Sequence, residues 1–123
     1  MIHGIGTDII EIKRIHNSIE RFGSRFLNKV FTSKEQSYCL QKKNKEAHLA
    51  GRFAAKEAVA KALGVGISET VGWKDIEIIN TPSGKPEVIL SPTVPFRETF
   101  SIHLSISHCR EFATAVAYIE LRL

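Results

Sequence analysis

The chain has 123 residues, 43% of them hydrophobic and 24% charged, with a formal net charge of +4. That length fits one domain over residues 1–123, large enough to bury a core without disulfide or metal staples. No apolar run is long enough to span a bilayer and no signal peptide opens the chain, so a cytoplasmic protein without a membrane partner is expected, and its mildly basic balance favours an anionic partner: nucleic acid, nucleotide cofactor or acidic protein.

Ile2 to Ile10 is β-branched and punctuated by Gly4 and Gly6, which predicts a strand. Strand parity puts Asp8 on the face of Ile2 and Ile10, and the glycines on that face leave room for another backbone or a ligand. Asp8 has two readings: a cap for the helix that follows, or one of two carboxylates, with Glu57, that hold a hard divalent cation. From about Glu11 the pattern turns helical, with Ile12, Ile15, Ile19, Phe22 and Phe26 at three-and-four spacing. Arg14, Arg21 and Arg25 fall at i, i+7 and i+11 on the opposite face, and Gly23 is expected to bend this helix near its end. Such a stripe is either a solvated face or a contact for an acidic protein or nucleic-acid backbone.

Thr32-Ser-Lys-Glu35 is a capping box and predicts a second helix carrying Tyr38 and Leu40. Lys42 to Lys45 forms a basic break. The Ala-rich helix that follows runs to the stop signals Gly64 and Gly66. On it Glu57 and Lys61 are one turn apart, on a face shared with Ala50, Phe53, Ala54 and Ala60. Arg52 and Lys56 make its one plainly polar stripe. A helix apolar almost all round is buried, so Glu57 and Lys61 read as a core ion pair or as the floor of a site.

Lys74 to Ile79 and Glu87 to Leu90 read as a hairpin around the turn Thr81–Pro86, with a Pro-containing loop after it. Phe100, Ile102, Leu104 and Ile106 alternate with polar residues in a half-buried strand that ends at His108, and Phe112 to Leu121 is the last strand. The order of strand, helices and a run of strands predicts an α+β fold, a mostly antiparallel sheet packed on the long Ala-rich helix. Cys39 and Cys109 sit in no paired motif and read as free thiols, with a long-range disulfide as the alternative. His108 beside Cys109 makes no zinc pattern, and no phosphate loop, dinucleotide fingerprint or nucleophile elbow is present.

Three blocks together carry a resemblance. They are Ile2-His-Gly-Ile-Gly-Thr-Asp8-Ile-Ile-Glu11, then Gly51-Arg-Phe-Ala-Ala-Lys-Glu57-Ala-Val-Ala-Lys61-Ala, and Leu104-Ser-Ile-Ser-His108 followed by an Ala-rich strand, with Gly84-Lys-Pro86 between the last two. In order and spacing they resemble the holo-[acyl-carrier-protein] synthases, the small type of 4′-phosphopantetheinyl transferase. Thr7, where an aliphatic residue is usual, and a long loop before Leu104 are the departures.

The resemblance implies that fold and a transfer of phosphopantetheine from coenzyme A to a serine of acyl carrier protein, with release of adenosine 3′,5′-bisphosphate. It implies Mg2+ held by Asp8 and Glu57, Lys61 facing phosphate, and Glu57, directly or through water, as base for the serine. It further implies Lys43, Arg52 and His108 around the 3′-phosphate, Gly84, Lys85 and Pro86 on the adenine side, and Arg14, Arg21 and Arg25 docking the acidic carrier. A homotrimer with sites between subunits is expected, and no nucleic acid. The rival reading is a non-enzymatic basic domain that binds nucleic acid or polyphosphate; it explains the charge but not an acid and a lysine among alanines. A third reading is a purely structural trimer that binds no coenzyme A.

Overall fold

The computed structural model describes residues 1–122. Strand β1 (Ile2–Glu11) leads into helices α1 (Ile12–Phe22), α2 (Ser24–Val30), α3 (Ser33–Leu40) and α4 (Lys45–Leu63). A short 3-10 turn, Trp73–Asp75, precedes β2 (Ile76–Asn80) and β3 (Pro86–Leu90), and another, Arg97–Thr99, precedes β4 (Phe100–His108) and β5 (Phe112–Leu121). Every strand pairing is antiparallel. The expected α+β architecture is present, but its strands form two sheets, one ordered β1-β5-β4 and the other the β2-β3 hairpin.

The long helix α4 lies across the inner face of the three-stranded sheet and is its main packing partner. Ala50, Ala54, Ala58 and Ala62 of α4 are buried, as are Ala113, Ala115, Ala117 and Ile119 of β5. Such small side chains bring helix and sheet close. At β1 the approach is closer still. A Cβ on Gly6 would sit 1.9 Å from the carbonyl oxygen of Ala58, and one on Gly4 2.1 Å from that of Ala62. The room beside the strand is therefore filled by helix backbone.

Local signals end the helices. Gly23, at φ 57, divides what the periodicity predicts as one bent helix into α1 and α2. Arg25 consequently stands on a different helix from Arg14 and Arg21, so the three do not form one helical stripe; all three are exposed. Gly64 closes α4 in the left-handed region, and the Gly66 amide donates to the Ala60 carbonyl at 3.0 Å. The Thr32–Glu35 capping box is formed as expected. Lys74 belongs to the 3-10 turn, and its strand starts two residues later than predicted, at Ile76. Both cysteines are free thiols, Cys39 buried and Cys109 exposed. Among the described residues no helix is long and apolar enough to cross a membrane.

Candidate active site

Two clusters of polar residues form at different edges of α4. The first gathers Asp8, Glu57 and Lys61. Strand parity turns Asp8 toward α4, in line with Gly4, Gly6 and Ile10, and β1 is an edge strand, so the carboxylate reaches the flank of the helix. The Lys61 ammonium donates to the Thr7 carbonyl at 3.0 Å and to Asp8 Oδ1 at 3.3 Å. Asp8 does not cap α1: the cap position is Glu11, and no side chain bonds there. Glu57 is half-buried, and burial first, then the Asp8 carboxylate, raise its pKa, with Lys61 acting against them.

The expected burial of these charges is wrong in detail. Lys61 is exposed and pairs with Asp8, not with Glu57. The buried charges of α4 are Arg52 and Lys56, the residues assigned above to a polar stripe. Helix α3 and strand β2 cover that side of α4. Lys56 forms an ion pair with Glu35 at 2.7 Å, both side chains fully buried. Burial pulls the Lys56 ammonium below the usual lysine range, and the Glu35 carboxylate opposes that shift. Sequence reasoning missed this pair because Glu35 already had a task in the capping box.

The second cluster lines a cleft of about 220 Å³. Arg52, Gly84, Pro86 and His108 meet there with Tyr38, His48 and Asn80. The Arg52 guanidinium stacks 4.4 Å from the Tyr38 ring and donates to Asn80 Oδ1, while Asn80 Nδ2 donates to the Gly84 carbonyl at 2.8 Å. Arg52 Nε is buried and has no hydrogen-bond partner among the described residues. The His48 and His108 rings lie 5.9 Å apart. Burial, then His108, Arg52 and Lys42, lower the His48 pKa. A cationic, partly desolvated cleft with an underused guanidinium suits an anion. Asn80 and Tyr38 could have been suspected only from their pairing with Arg52, which is not local in sequence.

Two predicted residues stand apart from that cleft. Lys43 lines an adjoining cleft of about 770 Å³ with His108, Cys109 and Arg110. Lys85 lines a third, of about 840 Å³, between β3 and β4. Asp8, Glu57 and Lys61 line none of the three. In strand register Asp8 faces Ala115 and then Ile106, whereas His108 faces Ala113. Asp8 and His108 are thus two strands and two residues apart, roughly 12 Å between their backbones.

A family model described as the 4′-phosphopantetheinyl transferase superfamily matches residues 4–117. A holo-[acyl-carrier-protein] synthase of Protochlamydia amoebophila is 54% identical over 120 residues, covering 95% of this chain and 97% of its own. The crystal structure of a holo-(acyl-carrier-protein) synthase from Bacillus anthracis, in complex with CoA (3′,5′-ADP), is 41% identical with a TM-score of 0.86, covering 98% of both chains. That of the Helicobacter pylori synthase in complex with coenzyme A is 37% identical with a TM-score of 0.86, covering 94% of this chain and 99% of that one. By sequence over nearly its whole length and by fold, this chain belongs to the holo-[acyl-carrier-protein] synthases of the 4′-phosphopantetheinyl transferase superfamily.

Proposed function

We propose that this chain, as one domain, transfers 4′-phosphopantetheine from coenzyme A to a serine of apo-acyl carrier protein and releases adenosine 3′,5′-bisphosphate. Membership in a synthase family whose members include coenzyme A complexes carries the reading. The reaction serves lipid biosynthesis, and we place it in the cytoplasm. The rival reading, a basic domain for nucleic acid, has no support from the family.

Among the described residues no three His, Cys, Asp or Glu side chains meet, so a hard divalent cation at Asp8 and Glu57 would need pyrophosphate oxygens and water as its further ligands. Two carboxylates, Asp8 and Glu57, lie close enough that one raises the pKa of the other, and both are partly shielded from water. Such a pair is costly until a cation joins it. When bound, Mg2+ supplies charge neutralisation for the pyrophosphate. The chain's own residues then divide the work. Asp8 and Glu57 would hold the cation. Lys61, tied to Thr7 and Asp8 and open to solvent, balances charge on the phosphate oxygens. Glu57, directly or through water, takes the proton of the carrier serine.

We assign Arg52 and His108, with Lys43, to the 3′-phosphate, and Gly84, Lys85 and Pro86 to the adenine side. Arg14, Arg21 and Arg25 dock the acidic carrier. The outer face of the three-stranded sheet supports assembly with further copies, which we take to be a homotrimer. Ile5, Ile9, Phe112 and Val116 share that face and are 60%, 65%, 40% and 42% exposed. An assembly with sites between subunits also accounts for the gap between the carboxylates and the anion cleft. Intact-mass analysis of apo-carrier protein incubated with coenzyme A, Mg2+ and this chain tests the reading. The carrier should gain one phosphopantetheine; an unmodified carrier beside a tightly bound nucleic acid would favour the rival.

A further inference from the structure

The buried Lys56–Glu35 pair has no part in the chemistry above. Lys56 Nζ donates to Glu35 Oε1 at 2.7 Å, to the Trp73 carbonyl at 2.9 Å and to the Ile76 carbonyl at 2.8 Å. Glu35 Oε1 also accepts the Thr32 amide at 2.8 Å, and Oε2 accepts the Ile78 amide at 2.7 Å. All three ammonium hydrogens and both carboxylate oxygens are used. A buried ion pair seldom stabilises a fold more than apolar side chains of similar volume would. What it adds is direction. These bonds reinforce one axial register of α4 on β2 at the buried end of their contact.

That register matters because the anion cleft is built on the same contact. Arg52 precedes Lys56 by four residues on α4, a rise of roughly 6 Å. On β2 Asn80 lies two residues beyond Ile78, which Glu35 holds, and four beyond Ile76, which Lys56 holds, roughly 7 Å and 13 Å along the strand. The two elements run in opposite senses, so the ties of Lys56 and Glu35 to Ile76 and Ile78 and the bond of Arg52 to Asn80 follow one another along the same contact. We propose that the Lys56–Glu35 pair is the positioning device of the anion cleft. It locks α4 on β2 so that Arg52, Asn80 and the Gly84 carbonyl meet in the arrangement that receives the 3′-phosphate. Neither residue touches the coenzyme.

This rests on the assignment of Arg52 to the 3′-phosphate. The test compares coenzyme A with 3′-dephospho-coenzyme A. The double variant Lys56→Met, Glu35→Gln removes both charges together and leaves neither uncompensated. It should fold and bind coenzyme A about tenfold more weakly, while 3′-dephospho-coenzyme A changes by less than about twofold. A folded double variant that binds both ligands as the parent does, or loses both equally, makes the pair a structural strut and overturns the inference. If the double variant does not fold, Glu35→Asp keeps both charges and shortens the tie by one methylene; the same selective loss is expected, and an equal or absent loss overturns the inference. Arg52→Ala is the control. If it too fails to discriminate the two ligands, the assignment of Arg52 falls and this inference with it. If Arg52→Ala discriminates and the pair variants do not, the inference alone falls.

Discussion

Burial and the Asp8 carboxylate both favour the neutral form of Glu57, while a hard cation needs its anion. A carboxyl with a raised pKa contributes stability that is fully present below its ordinary value, 4.5, and is lost as pH rises through the raised one. The metal-free protein therefore carries this cost at about pH 7.5, and Glu57→Gln should raise its Tm there while nearly abolishing transfer. Mg2+ should raise the Tm of the parent at about pH 7.5 and progressively less toward about pH 5, as protons compete for the carboxylate. Thermal melts with and without Mg2+ at both pH values check this, and a lower metal-free Tm for Glu57→Gln contradicts it. Lys61 is half exposed, so Lys61→Met should cost under about 1 kcal/mol of stability. Its turnover should nonetheless fall by about two orders of magnitude. Wild-type turnover in a stable variant would remove Lys61 from the chemistry. At this scale the sequence was half legible. Helical spacing grouped Glu57 with Lys61, but could not show that Lys61 bonds a strand residue 53 positions away, nor that Lys56 meets Glu35.

The contact between β1 and α4 was open to reading, because two glycines on one face of a short strand mark a close approach. Which partner would approach was not. With the carbonyl of Ala58 in the way, Gly6→Ala should lose about 3 kcal/mol or more in urea unfolding, since helix or strand backbone must shift. A loss below about 1 kcal/mol would show that the contact yields easily. The split of α1 from α2 was less legible, since Gly23 interrupts a pattern whose apolar spacing continues through Phe26. It leaves Arg14 and Arg21 on one exposed helix face. Reversing both to Glu should change stability by no more than about 0.5 kcal/mol. The Michaelis constant for the acidic carrier should rise, less so at high salt, with coenzyme A binding unchanged. Steady-state kinetics at two salt concentrations separates this from a coenzyme role, in which affinity for coenzyme A would fall instead.

For the whole molecule, alternation and helix periodicity made the α+β class and the antiparallel pairing legible. The division into two sheets was not, because register between distant strands is set by side-chain burial on both faces and not by local pattern. Assembly is harder still, since an exposed apolar face is written in the same residues as a core face. Ile9→Lys should leave each chain folded but reduce the light-scattering mass from three chains to one, with transfer lost as the shared sites separate. Whether one carboxylate pair serves phosphoryl transfer is decided by the rate of phosphopantetheine addition to apo-carrier protein, followed by intact mass, for the parent and Asp8→Asn. The parent should modify the carrier only with a divalent cation present, and Asp8→Asn, still folded, should be nearly inactive at ordinary Mg2+. Full activity of Asp8→Asn under those conditions would contradict the account.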